Sequence, residues 1–363
     1  MTIDIADQFQ TLHEIIKFAR LALPQGPWDY LMGGTETETT VKRNRQALDS
    51  VAFRPRVLRD VSKIDCSAIM FGKRIRMPVF LAPIGSIETF AEGGGVTAAK
   101  ASEEFGIPQI LSSACNPGLE AVARAADNFR IYQLYVRGDA AFVDDHVHRA
   151  VDNGYTAFCL TVDTALYSRR ERDIAKRFIK PWRNRNPVGM EYQAALNWDD
   201  VKRFKDKHDL PLILKGIATG EDAVQACELG VEVIYVSNHG GRQLDHGRGS
   251  LDVLPEVVKA VDGRAQVFMD GGCMRGSDVV KAIALGADAV GIGRLACLGL
   301  GAAGQEGLVR TLELLEDEVR ISLGLLGVTA FEELDASHVH SAQPVDAPHV
   351  FSAFPLLDFN DGY

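Results

Sequence analysis

The chain has 363 residues, 46% of them hydrophobic and 24% charged, with a formal net charge of -10. That acid excess excludes the basic footprint of a nucleic-acid binder, while the apolar share is that of a globular protein with material for a large core. The six cysteines (Cys66, Cys115, Cys159, Cys227, Cys273 and Cys297) are scattered without a C-x-x-C pair, so neither a zinc cluster nor a disulfide framework is expected and no metal is implied.

The first ten residues carry Asp4 and Asp7 and lack a basic region followed by an apolar one, so no secretory signal is expected. Residues 8 to 23 place Phe9, Leu12, Ile15, Ile16, Ala19 and Leu23 at helical spacing, and Pro24 with Gly26 ends that segment. A second helical stretch begins near Pro27 and carries Trp28, Tyr30 and Leu31; a charged helix follows from Thr37 to Leu48. Tyr30 beside an apolar face reads first as core, since a tyrosine so placed is packing more often than function.

From residue 78 a rhythm of short apolar runs sets in, each ending in a polar or glycine exit and followed by an alanine-rich amphipathic stretch. The runs are Val79 to Pro83, Gln109 to Ser113, Ile131 to Val136, Ala157 to Asp163, Leu212 to Gly216, Val231 to Asn238, Gln266 to Gly271 and Ala289 to Arg294. Eight alternating units specify an α/β fold of the (β/α)8 TIM-barrel type, preceded by a helical extension. A single domain over 1–363 is expected, with the barrel over about 78–325. The one irregular insertion, Glu171 to Trp198 after the fourth strand, is rich in Lys and Arg. A solvated charge run and a lid over the barrel mouth both fit it, and the lid is preferred because barrel sites lie at the strand C-terminal ends. No apolar run approaches a membrane span, and Asp361-Gly362-Tyr363 is not a peroxisomal address, so a reducing cytoplasm is the expected compartment.

A barrel points the C-terminal ends of its strands at one face, and the residues so gathered are polar and mostly cationic. They are Pro83-Ile84-Gly85; Ser112 and Ser113; Gln133 and Tyr135; Thr161, Asp163, Arg169 and Arg170; Lys215; Ser237, His239 and Arg242; Asp270-Gly271-Gly272; and Gly291-Ile292-Gly293-Arg294. The last two exits have the make-up of a barrel phosphate site, in which glycine N–H groups and an arginine hold a dianion, so a cofactor with a phosphate tail is implied. Lys215 at a buried strand end needs negative charge, from a neighbouring carboxylate or from an electron-rich cofactor such as a reduced flavin. His239 and Asp163 offer a base with a carboxylate to support its protonated form; Arg170 and Arg242 offer two fixed cations for a carboxylate.

These residues resemble the FMN-dependent 2-hydroxy acid oxidases and dehydrogenases, the family of glycolate oxidase, lactate oxidase and mandelate dehydrogenase. The resemblance runs from Trp28-Asp29-Tyr30 to Leu334. Its most specific motif is Ser237-Asn238-His239-Gly240-Gly241-Arg242-Gln243-Leu244-Asp245, supported by Gln133-Leu134-Tyr135, Leu160-Thr161-Val162-Asp163, Arg169-Arg170-Glu171, Leu214-Lys215-Gly216 and Gly291-Ile292-Gly293-Arg294.

The resemblance implies an FMN cofactor and oxidation of a 2-hydroxy acid of S configuration to the 2-oxo acid, with hydride passing to flavin N5 and a carbanion route as the alternative that the sequence does not decide against. His239 would be the base, Asp163 its support, and Tyr135 the partner of the substrate oxygen. Tyr30, Arg170 and Arg242 would hold the carboxylate. Lys215 would face flavin N1 and O2, with Pro83, Ile84, Gly85, Ser112, Gln133, Thr161 and Ser237 along the flavin and Asp270, Gly271, Gly272, Gly293 and Arg294 toward its tail. Met274 stands where the family has an arginine on the flavin phosphate, which leaves Arg294, glycine N–H groups and a displaced Arg275 for that role. Gly85 and Ala114 stand where relatives carry larger side chains, so a substrate bulkier than glycolate is expected. The family also implies a homo-oligomer, a tetramer, with oxygen or a soluble, quinone-like carrier as electron acceptor. Two other readings share the flavin: an FMN-dependent isomerase of diphosphates, and a flavin-binding protein with degenerate activity.

Overall fold

The computed structural model describes residues 4–185 and 188–357. Eight parallel strands close into one barrel: β1 (Val79–Leu81), β2 (Gln109–Ser112), β3 (Arg130–Leu134), β4 (Phe158–Thr161), β5 (Leu212–Ile217), β6 (Val233–Val236), β7 (Gln266–Met269) and β8 (Ala289–Ile292). They neighbour one another in chain order, and β8 pairs with β1 through Val290 and Val79. This is the TIM barrel that the eight apolar runs predict. The strands are almost wholly buried, which is why they read as continuous apolar runs rather than as alternation.

The barrel interior is filled by Phe80, Ile110, Ile131, Cys159, Ile213, Val233, Tyr235 and Phe268. A hairpin, Ala68–Met70 against Lys73–Ile75, adds Met70 and Ile75 to that cluster, and Phe71 packs edge-on against Phe129 and Phe268. Phe129 immediately precedes β3, so the hairpin plugs the N-terminal end. The opposite end is left for a site.

Outside the barrel, the helix Arg294–Leu326 packs on Leu12–Ala22 and on Gly95–Phe105, burying Leu308, Leu312, Leu315, Val319 and Leu323. It breaks at Ala303 and Gly304, where the backbone leaves helical geometry. The predicted entry helix begins at Leu12, because Thr11 and Glu14 form a reciprocal capping box there. The charged helix spans Thr39–Asp49. Its N-terminus is capped from far away: Asp245 accepts from the Thr37 and Thr40 N–H groups, both at 2.9 Å. One pairing was not anticipated, Val51–Phe53 with Val339–Ser341, which ties the end of the described chain back beside the extension.

The stretch after β4 folds as three short helices, Glu171–Ala175, Pro181–Arg185 and Met190–Ala195. Residues 186 and 187 of the expected lid, and the Asp361-Gly362-Tyr363 terminus, lie outside the described residues. No helix among the described residues is long and apolar enough to cross a membrane.

Candidate active site

A cavity of about 1550 Å³, counted with its open mouth, occupies the C-terminal end of the barrel. Its walls come from the strand exits, from the extension (Tyr30, Asn44, Arg45) and from the stretch after β4 (Lys180, Trp182, Arg183, Met190, Gln193).

His239 follows β6 with a φ of 60°. Its Nδ1 lies 2.8 Å from Asp163 Oδ1, and its backbone N–H donates to Ser237 Oγ at 3.0 Å. A carboxylate can only accept, so Nδ1 carries the proton and Nε2 is left as an acceptor. Tyr135 Oη stands 3.2 Å from that Nε2. Burial holds the imidazole below its ordinary value of 6.5, Lys215 and Arg170 push the same way, and Asp163 opposes them. Burial also lifts the Asp163 carboxyl, but His239 and Lys215 outweigh it and hold it below the usual carboxylate range. Burial and the Asp163 charge push the Tyr135 hydroxyl far up, so it remains a donor.

Beneath this pair lies a charged network. Lys215 Nζ donates to Ser237 Oγ at 3.1 Å and lies 4.0 Å from Asp270; Ser237 Oγ donates to Asp270 Oδ1 at 2.5 Å. The lysine therefore has both partners weighed from its sequence position: a carboxylate below and the cavity above. Ser112, Gln133, Thr161 and Ser237 are buried but lie outside the cavity lining. Ser112 Oγ accepts from Ala114 N–H and Gln133 Nε2 donates to Thr161 Oγ1 at 2.9 Å, which leaves the buried Gln133 Oε1 without a partner among the described residues.

Two arginines and a tyrosine form the next group. Arg242 donates to the Tyr30 carbonyl at 2.5 Å and lies 4.6 Å above the Tyr30 ring. Burial, together with Arg170, lowers its guanidinium to about 10. Arg170 is buried and bonded to Gln243 Oε1 at 3.1 Å. The Tyr30 hydroxyl donates to the Gly85 carbonyl at 2.7 Å, so Tyr30 is both core and cavity wall. Gly85 and Ala114 both line the cavity, as do Pro83 and Ile84.

At the other end are Gly271, Gly272, Gly293, Asp270 and Arg294. Gly271 has a φ of 115°, and a Cβ there would stand 2.4 Å from Ser250 Oγ. Burial, with Arg242 nearby, lowers Arg294 to about 9; among the described residues it donates only to the carbonyls of Leu31, Gly33 and Gly240. Arg275 does not reach the cavity, contrary to expectation. It is the N-cap residue of the helix Gly276–Ala284 and pairs with Glu318 at 2.6 Å, its guanidinium 5.2 Å from the Phe354 ring. Met274 takes the cavity position beside it. A different arginine does line this end: Arg45, bonded to the Gly272 carbonyl at 2.9 Å and to Asp278 at 2.7 Å.

The profile of the FMN-dependent dehydrogenase family matches residues 19–341. The chain belongs to that family of FMN-dependent 2-hydroxy acid oxidoreductases. It is 36% identical to an L-lactate oxidase of a Nostoc species over 355 residues, covering 91% of this chain and 97% of that one. A peroxisomal (S)-2-hydroxyacid oxidase of Arabidopsis thaliana is 37% identical over 353 residues, with 92% and 97% covered. A crystal structure of mandelate oxidase with benzoyl-formic acid superposes with a TM-score of 0.85 at 36% identity, covering 93% of this chain and all of that one.

The cavity suits the family's cofactor. Behind the lining, the buried Gln133 Oε1 that has no partner among the described residues would accept from an imide N–H; Lys215 would be a buried cation for the electron-rich edge of a flavin, and Arg294 with the glycine turns would receive a phosphate.

The sequence does not single out Arg45, Tyr167 or Trp182 as wall residues, and it places Lys180 and Arg183 in the expected lid without assigning either a role. Tyr167 had a local signal, since it lies between Asp163 and Arg170. Arg45 had none, because the carbonyl that it holds is 227 residues away.

Proposed function

We propose that the protein oxidises an (S)-2-hydroxy acid bulkier than glycolate to its 2-oxo acid, with His239 as base. The observation that carries this reading is the Asp163–His239–Tyr135 line, whose unprotonated Nε2 faces the cavity within reach of Arg170 and Arg242. The S configuration follows the names of the lactate and (S)-2-hydroxyacid oxidase relatives; the size follows from Gly85 and Ala114 in the wall.

Arg170 and Arg242 hold the substrate carboxylate, with Tyr30 fixing Arg242 through its ring and carbonyl. The Tyr135 hydroxyl turns from Nε2 to the substrate oxygen. The hydroxyl proton passes to His239 Nε2, and Asp163, held ionised, stabilises the imidazolium that forms. The α-hydrogen leaves with its electron pair as the C–O bond becomes a carbonyl. Bound FMN supplies the two-electron acceptor for that hydride at N5. Lys215 would face the flavin edge and balance negative charge there. Arg294 and glycine N–H groups would hold the phosphate, with Arg45 rather than Arg275 the further arginine lining that end.

The same reading carries a lid at 171–198, a cytoplasmic homotetramer, and oxygen or a soluble, quinone-like carrier as the final acceptor. The test is anaerobic mixing of the yellow holoenzyme with lactate, mandelate and longer 2-hydroxy acids. Bleaching of the flavin with stoichiometric 2-oxo acid is expected, faster for the S forms and for the larger acids. A flavin that stays oxidised across the panel contradicts the proposal. Ala114→Trp is expected to slow the larger acids selectively by narrowing the wall.

A further inference from the structure

The substrate end of the cavity holds more positive charge than one carboxylate can balance. Besides Arg170 and Arg242, it is walled by Arg137, Lys180 and Arg183. Among the described lining residues Asp270 is the sole acid, and it lies at the other end beside Lys215. Behind this wall stand Asp173, 2.9 Å from Lys180, with Asp29 close to it, and Glu191 near Arg137, while Arg183 has no ion pair among the described residues.

The extra cations converge on one ring. The Tyr167 ring has Lys180 Nζ at 4.7 Å, Arg170 at 4.8 Å and Arg183 at 3.9 Å, and its hydroxyl bonds to Lys180. Lys180 also lies 4.9 Å from the Tyr30 ring, beside the carboxylate clamp. Arg183 makes no ion pair or hydrogen bond among the described residues. Arg137 covers the Trp182 ring at 4.4 Å. This wall therefore presents charge where an aromatic substrate would need open ring faces. Burial, with Arg242 and Arg183 adding to it, pulls the Lys180 ammonium down to about 6. An anion arriving beside it raises the ammonium again and so favours its charged form.

We infer that the substrate carries a second anionic group, and that Lys180 and Arg183 receive it while Arg170 and Arg242 hold the first: a short 2-hydroxy dicarboxylic acid. The inference rests on the hydroxy-acid reading and names its substrate class. Because Arg170 and Arg183 reach the same tyrosine ring, the two carboxylates belong to a chain of four or five carbons.

The experiment compares matched pairs on the holoenzyme under anaerobic conditions: the (S)-2-hydroxy diacids of four and five carbons against the (S)-2-hydroxy monoacids of the same length. The Kd and the limiting rate of flavin bleaching are measured for each. The diacid is expected to bind about tenfold or more tighter than its monoacid, with the preference falling as ionic strength rises. Arg183→Gln, at an exposed position that does not threaten the fold, and Lys180→Met are expected to shrink that ratio to about twofold. Bleaching by monoacids with no diacid preference overturns this inference and leaves the hydroxy-acid reading standing. A diacid preference unmoved by both variants overturns the assignment to these residues. No bleaching by any acid overturns both.

Discussion

The two ends of the barrel mouth handle charge in opposite ways. Under the flavin position, Lys215, Ser237, Asp270, His239 and Asp163 form a closed set in which each charge has a partner within 4.0 Å. Across the cavity, the four cations Lys180, Arg183, Arg170 and Arg242 have Asp173, with Asp29 close to it, as their nearby acids. The first set is complete without substrate and is built for chemistry common to a family. The second is left short of negative charge, and that shortage is a specification of what must arrive.

Substitutions separate the two. Loss of a clamp residue has the largest expected effect: Arg170→Met should lower kcat/KM for any 2-hydroxy acid by about 10²–10³-fold, since a buried charge-assisted contact is removed and its partner left unpaired. Steady-state kinetics with the best monoacid measures this, and a loss under about fivefold would mean that the carboxylate lies elsewhere. Lys215→Met acts on the closed set. It strips Asp270 and Asp163 of a buried cation and should cost about 3–5 kcal/mol, read as a lower urea midpoint of the apoprotein. An unchanged midpoint would mean that those acids are neutralised otherwise.

pH provides a gentler probe. The folded pKa of His239 lies below 6.5 because burial disfavours its charged form. The neutral base therefore predominates above 6.5, and the rate of flavin reduction should level off with rising pH and fall as pH drops through the folded value. The same depression favours the unfolded state's proton uptake, so stability is also lost as pH falls below 6.5. A reduction rate that begins to fall above pH 7 would place the controlling group elsewhere. The smallest effect is expected of Arg275→Ala. It should lower stability by about 1 kcal/mol through loss of the Glu318 pair and leave the FMN Kd within about twofold, measured by flavin fluorescence recovery. A tenfold weaker Kd would return Arg275 to the phosphate.

What could be read from the chain follows the same division. The strands declared themselves because all-buried parallel strands are short unbroken apolar runs, and their ends named Asp163, Lys215 and His239, which close or directly follow such runs, with Arg170 a little further along the fourth exit. Arg275 was misassigned for a physical reason. Met274 and Arg275 are neighbours at a helix start, and only the fold decides that the cavity takes the first while Glu318 takes the second. Arg45 and the Val339–Ser341 strand depend on contacts across most of the chain and leave no local period. Lys180 and Arg183 fall in a stretch expected to cover the barrel mouth, but nothing in their spacing shows which of its cations form the wall.

The central claim is that a neutral, Asp163-supported His239 takes the substrate's proton. Its most direct test is His239→Gln, purified with FMN content measured and mixed anaerobically with the best hydroxy acid in a stopped-flow instrument. The account predicts a protein that keeps its flavin and still binds substrate, with the reduction rate lower by about 10²–10⁴-fold. Reduction at a rate near that of the wild type, with flavin and substrate bound, would contradict it.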